Sequence, residues 1–185
     1  MSVKRTLAIA LVLLAGLAVL TNVRDAGAAT KQELDRDGQS ALKTLCAKNK
    51  TAAMLNGKAR AVLVFPNMVK AGFMFGGQLG EGVLLKGGKP AGYYNSVGAS
   101  YGLQAGAQKF GYALFFMDDG ALKYLDSSEG FEVGVGPSFV VVDEGMGKSI
   151  TSTTATQDVY AFIFSQKGLM GGLGLQGTKI TQITK

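Results

Sequence analysis

The stretch "VFPNMVKAGFMFGGQLGEGVLL", Val64 to Leu85, decides how the rest of the chain is read. It is rich in β-branched and aromatic residues, yet it carries Gly72, Gly76, Gly77, Gly80 and Gly82. Glycine weakens a strand interior because it packs nothing and loses the most backbone freedom on folding. The glycines nevertheless have a phase. Gly72, Gly76, Gly80 and Gly82 are even-numbered, while Phe73, Phe75, Leu79, Val83 and Leu85 are odd. Gly98, Gly102 and Gly106 repeat that parity against Val97, Tyr101 and Leu103, and Gly134 and Gly136 oppose Phe131, Val133 and Val135. With a strand period of two, bulky side chains line one face and the other is nearly bare; Gly77 breaks the pattern. A sheet bare on one face can curl tightly, so the expectation is a strongly curved, glycine-rich sheet or small barrel.

Working outward, short alternating segments continue on both sides: "RAVLVF", "AGFMFGGQ", "GEGVLLK", "AGYYNSV", "ASYGLQAGA" and "GYALFFM". Turn signals such as Gly87-Gly88-Lys89-Pro90 separate them. "DDGALKYLDSS" interrupts the series, and an Asp cap followed by Leu122 and Leu125 predicts a short helix near 119–127. Strand texture resumes in "FEVGVG", "SFVVVD", "SITSTT", "VYAFIFS", "LMGGLGL" and "KITQIT". Upstream, Leu34, Ala41, Leu42, Leu45 and Ala52 fall on one helical face with Gly38 among them, and Arg36, Lys43 and Lys50 lie opposite. Residues 31–55 therefore read as one helix or as two shorter ones. The fold class expected is α+β: an N-terminal helical arm, then a mostly antiparallel sheet.

The N-terminus reads as an export signal. Lys4 and Arg5 precede the apolar run Thr6–Leu20, and Ala26-Gly27-Ala28 offers a small-x-small cleavage site. The alternative is an uncleaved anchor. Removing 28 of 185 residues leaves 157, the size of one domain spanning 29–185. The removed segment carries Lys4, Arg5, Arg24 and Asp25, so the net charge falls from +6 to +4. Export implies a periplasmic or envelope-associated protein, peripheral to the membrane. Cys46 is the single cysteine, so no internal disulfide supports the fold.

The chain has no histidine, which excludes His-based acid–base catalysis and His metal ligation. "GASYG", Gly98–Gly102, matches the nucleophile-elbow spacing around Ser100 but lacks a base and a following helix. "GLGLQG", Gly172–Gly177, lacks the helix and distant acid of a dinucleotide site. "DEGMGKSI" ends like a P-loop, but its first required glycine falls on Val142. Asp118-Asp119 and Asp143-Glu144 read as turn acids rather than calcium ligands. No enzyme activity, cofactor, metal or nucleic-acid partner is expected.

Charge points elsewhere. No acid lies between Asp37 and Glu81, whereas Lys43, Lys48, Lys50, Lys58, Arg60 and Lys70 all do. From Asp118 to Asp158 eight acids face only Lys123 and Lys148. A basic end that meets an anionic surface follows from this asymmetry.

At "GKARAVLVFPNMVKAGFMFGGQLGEGVLL", Gly57–Leu85, the chain resembles the SYLF domain family: an alanine-led strand ending in Phe65-Pro66, then Val69–Phe73, then Gly77–Leu84. The likeness continues through "SVGASYGLQAGAQ", "FFMDDGAL", "FEVGVGP" and "SQKGLMGGLGLQG". The resemblance implies non-enzymatic binding of anionic lipid through a basic N-terminal region, phosphoinositide in eukaryotic members, some of which also bind actin. The lipid-binding candidates are Lys43, Lys48, Lys50, Lys58, Arg60 and Lys70. Lys58 and Lys70 lie in family motifs; Lys43, Lys48 and Lys50 come from the helix reading. Two alternatives stand beside it. One is a partner-binding envelope protein using exposed aromatics around Tyr93-Tyr94. The other is a small outer-membrane β-barrel, opposed by the helical arm, by short strands and by the "ITQITK" ending.

Overall fold

The computed structural model describes residues 28–73, 75–101, 106–127, 130–133, 135–142, 150–151, 155–168 and 178–185. All but Ala28 of the expected signal segment, "GLGLQG", nearly all of "DEGMGKSI" and the strand "LMGGLGL" lie outside them. Two helices come first, α1 (Lys31–Lys48) and α2 (Lys50–Asn56). Asn49 ends one and begins the other: its amide donates to the Leu45 carbonyl, and its side chain accepts from the Ala52 amide. The two-helix alternative is the one observed. Thr30 and Glu33 form a reciprocal capping box at the start of α1, and these hydrogen bonds hold the Glu33 carboxyl below its ordinary range.

Eight strands follow: β1 (Ala61–Phe73), β2 (Phe75–Lys86), β3 (Lys89–Tyr101), β4 (Gly106–Phe116), β5 (Phe131–Glu132), β6 (Phe139–Val141), β7 (Val159–Gly168) and β8 (Thr178–Ile183). A third helix, α3 (Asp119–Leu125), sits between β4 and β5, capped by Asp118 as the sequence predicts. The strands form one sheet in the order β5-β8-β3-β2-β1-β4-β7-β6, antiparallel except for the edge pair β6–β7. Gly87 and Gly88, both at positive φ, make the two-residue turn between β2 and β3.

The sheet curls hard. β4 and β5 stand five positions apart, about 24 Å at the usual strand spacing. Yet the rings of Phe116 and Phe131 meet edge to face with centroids 5.8 Å apart. Their shared face is therefore the inside of the curl. It holds Leu63, Phe65, Met68, Leu84, Tyr94, Phe110, Tyr112, Leu114 and Ile180, with α3 packed against it. α1 and α2 pack on the outer face, over Val62, Val64, Val83, Leu85, Ala113, Phe115 and Phe162.

The even-numbered glycines of β2 lie on the inner face, where side chains from β1 fill the room they leave. A Cβ on Gly80 would come within 2.4 Å of Met68 Sδ, and one on Gly82 within 2.6 Å of Phe65 Cδ1. The glycines are thus half of a close fit.

Several expectations are corrected. The four central strands are not short: they run 13, 12, 13 and 11 residues, because neighbouring segments merge through Pro66 and Asn67 and through Gly98. Among the described residues, what separates the molecule from an outer-membrane barrel is a sheet with two distinct edges and a helical layer on its outer face. "FEVGVG" supplies only a two-residue strand, and Ile150 and Thr151 of "SITSTT" are not in a strand. Tyr93 and Tyr94 are not an exposed aromatic surface. Tyr94 is buried and donates to Asp126, while Tyr93 is half-buried, donates to Asp35 and receives Lys31 at its hydroxyl.

Candidate functional site

Leu34, Gly38, Leu42 and Leu45 fix the orientation of α1 by facing the sheet. Lys43 points away from them and is exposed; Lys48, on the flank, is exposed too. Lys50 opens α2 and is exposed, as are Lys58 and Arg60 in the connection to β1. Arg60 lies 3.8 Å from Asp119, with both side chains more than half exposed, so this pair is weak. Between α1 and the β2–β3 turn, Gln39, Leu42, Lys43, Cys46, Asn56, Leu85 and Gly88 line a shallow groove of about 340 Å³. Partial burial raises the Cys46 thiol above its ordinary range, which keeps it protonated and unreactive at neutral pH.

Lys70 does not join this group. β1 carries a bulge at Pro66-Asn67, seen as a register slip from the pair Phe65–Tyr112 to the pair Met68–Phe110. Proline has no amide hydrogen to give the ladder, and the bulge removes the need for one. The extra residue reverses the parity of everything beyond it. Val62 and Val64 therefore face outward, while Met68 and Lys70 face inward. Lys70 is 5 % exposed.

Inside, Lys70 belongs to a polar row that crosses five strands. Gln108 of β4 and Gln78 of β2 are its direct cross-strand partners, followed by Gly98 of β3 and Thr178 of β8. Gln78 Nε2 donates to Thr178 Oγ1 at 2.6 Å, reaching across Gly98. A Cβ on Gly98 would lie 2.9 Å from Thr178 Oγ1 and 3.0 Å from Gln78 Nε2, so that glycine keeps the bridge open. The buried atoms Gln78 Oε1, Gln108 Oε1, Ser96 Oγ and Tyr112 OH have no hydrogen-bond partner among the described residues. Burial pushes the Tyr112 hydroxyl far above its ordinary range. The sequence reading missed this row. Its one signal was that Lys70, Gln78, Gln108 and Thr178 occupy the phase otherwise given to glycine.

A second groove, of about 530 Å³, lies where the chain enters the fold, between Ala29, Leu34 and Asp37 on one side and Leu79, Glu81, Asn95 and Val97 on the other. Lys185 closes one edge of it. Its ammonium bonds both carboxylate oxygens of Glu81, at 2.8 and 2.9 Å, and the Ala29 carbonyl at 2.8 Å, while the Ala29 amide donates to Glu81 Oε2.

Among the described residues no cluster of acids and cysteine could hold a metal ion, and no helix is long and apolar enough to cross a membrane. Ser100 is the penultimate residue of β3 and pairs with Gly76; residues 102–105, where the turn of a nucleophile elbow would come, lie outside the described residues.

Residues 97–185 match the family model Ysc84, described as Las17-binding protein actin regulator. The match takes in β3 from Val97 onward, β4, α3 and the C-terminal strands, and stops short of the helical layer and of the opening stretch Val64–Leu85. No curated protein matches the chain. This family is a lipid- and actin-binding module, not one of the known enzyme families. Residues 97–185 thus match the same SYLF (Ysc84) family that the sequence resemblance names.

Proposed function

We propose that this chain is an exported envelope protein that binds anionic membrane lipid without catalysis, through the basic N-terminal layer formed by Lys43, Lys48, Lys50, Lys58 and Arg60. The observation that carries this reading is the exposure of all five cations along a stretch that contains no acid. Each Lys or Arg held near an anionic surface contributes about 1 kcal/mol, so several acting together give measurable and salt-sensitive attachment. The family match over residues 97–185 supports lipid as the partner; phospholipid and phosphoinositide headgroups offer the same phosphate chemistry. Lys70 is no longer among the contacts, since it faces inward.

Vesicle sedimentation tests this. Attachment to phosphatidylglycerol or cardiolipin vesicles is expected, falling with added salt and absent from phosphatidylcholine. The double variant Lys43→Ala/Lys50→Ala is expected to lose about 2 kcal/mol, roughly thirtyfold in partitioning. Equal binding to neutral and anionic vesicles would defeat the reading.

A further inference from the structure

α1 and α2 sit over Val62, Val64, Val83 and Leu85. Among the described residues the same face continues open toward the other end of β1, β2 and β3, bordered by Ala29, Leu34 and Asp37 across the groove at the chain entry. There, Val69, Leu79 and Val97 are direct cross-strand partners and form a row. Leu79 is 61 % exposed and Val97 54 %, the two most exposed large apolar side chains among the described residues. The next row outward, Ala107, Ala71, Gly77 and Ala99, is small and exposed, so the larger side chains stand clear of it.

Lysines flank the row at both ends. Lys109 of β4 pairs with Val69, and Lys179 of β8 pairs with Val97. Beyond Lys109, its direct partner on β7 is Lys167. All three are exposed. Two lysines directly opposed on one face repel each other, and the arrangement is relieved by an anion shared between them. The acids nearby each stand beside a cation: Glu81 is held by Lys185, Asp37 across the groove by Arg36, and Glu132 stands across from Lys179 at the sheet edge.

We infer that this open strand face is a second membrane contact, in which Leu79, Val97 and Val69 enter the headgroup layer of an anionic bilayer while Lys109, Lys167 and Lys179 hold its phosphates. The curl supplies the geometry. On the convex side of a curled sheet the middle strands stand forward of the flanking ones, so the apolar row lies ahead of the lysines at its shoulders. Long lysine stems can follow the surface while their ammonium groups reach the phosphates. The inference rests on the lipid-binding reading but assigns part of it to the strands rather than the helices.

The chain contains no tryptophan, so a single introduced indole reports one position. Leu79→Trp is expected to shift its emission to the blue on mixed phosphatidylglycerol–phosphatidylcholine vesicles and to be quenched by brominated acyl chains. Thr156→Trp, exposed beside the opposite end of β7 from Lys167, is expected to do neither. The double variant Leu79→Asp/Val97→Asp is expected to bind these vesicles at least about tenfold more weakly. Lys109→Gln/Lys167→Gln is expected to lose roughly thirtyfold. Both positions of the aspartate variant are exposed, so an unchanged unfolding midpoint confirms that the fold is intact. If the wild-type chain ignores vesicles altogether, the lipid-binding reading fails and this one with it. If the wild type binds and the folded aspartate variant binds equally well, only the strand face is overturned. A blue shift of Leu79→Trp without vesicles, growing with protein concentration, would also overturn it by showing the face to be a contact with a second copy.

Discussion

A Cβ atom placed on Gly82 would lie 2.6 Å from Cδ1 of Phe65 and 2.8 Å from the Val64 carbonyl oxygen, so the ring of Phe65 and the missing side chain of Gly82 occupy one space. Gly82→Ala is therefore expected to destabilise the protein by about 1–3 kcal/mol through overpacking. Gly77 makes the contrast. It lies on the outer face, and its Cβ would meet nothing nearer than the Gly98 carbonyl at 3.7 Å. Gly77→Ala is expected to be neutral or to stabilise by about 0.5–1 kcal/mol, since it only removes backbone freedom from the unfolded chain. Urea unfolding midpoints of the two variants check the pair; similar losses in both would contradict this account of the inner face.

The glycine parity was legible because side-chain alternation is a local property of a strand. It correctly placed Gly80, Gly82 and Gly98 on one face. What filled that face was not legible, since Phe65 and Met68 come from another strand and meet it through a register that no local pattern encodes. The bulge at Pro66-Asn67 had a visible signal in the proline, but its consequence, the reversed phase at Lys70, emerges only once strand partners are known. The same limit hid the row Lys109, Val69, Leu79, Val97 and Lys179, whose members lie far apart in sequence. The helical layer was simpler. Its buried stripe is carried by residues within a turn or two of each other, whereas the Thr30 capping box, though just as local, was missed.

Gly38 offers a sharper test of helix packing. Alanine in place of a helix-interior glycine ordinarily stabilises by about 1 kcal/mol. Here the added Cβ would lie 2.2 Å from Cγ1 of Val83, so Gly38→Ala is expected to lower stability instead. Val83→Ala removes the obstructing methyls at its own cost. The double variant is expected to be more stable than the two single losses predict, a coupling that a double-mutant cycle reads directly.

Lys70 separates stability from binding. Lying inward between Gln78 and Gln108, it is expected to act on the fold alone. Lys70→Ala should lower the unfolding midpoint, and the folded fraction should bind anionic vesicles as the wild type does. A loss of vesicle binding with the midpoint unchanged would return Lys70 to the lipid surface.

Alkaline pH provides a readout of the inner face. Burial raises the hydroxyls of Tyr94 and Tyr112 well above the ordinary tyrosine range, and for Tyr94 the hydrogen bond to Asp126 adds to the effect. A pKa raised in the folded state leaves the full contribution in place below the unfolded value, about pH 10. That contribution is then lost as pH rises toward the folded value. Stability should therefore fall above about pH 10, and ultraviolet absorbance should show these two tyrosines ionising only as the protein unfolds. Tyr112→Phe is expected to lessen this dependence. It should cost little at neutral pH, since the hydroxyl has no partner among the described residues. A large loss at neutral pH would mean that the hydroxyl is satisfied within the fold.

The chain entry gives the last test. Glu81 accepts from the Ala29 amide at 3.0 Å and from Lys185 at 2.8 Å, and the side chain of Lys185 is only 10 % exposed. In a chain cut after Ala28, as the signal-peptide reading expects, the Ala29 nitrogen becomes an ammonium at the same place. The contact to Glu81 then changes from an amide hydrogen bond into a charge-assisted one, which contributes about 1.5–3 kcal/mol where the neutral bond contributes about 0.5–1.5. Glu81→Gln should accordingly cost about 1 kcal/mol more in a chain that starts at Ala29 than in one that retains the preceding residues. Unfolding curves of both lengths, each with and without the substitution, give that difference. Equal costs in the two lengths would show that the Ala29 nitrogen makes no ion pair with Glu81 after cleavage, and that the clamp at this edge belongs to Lys185 alone.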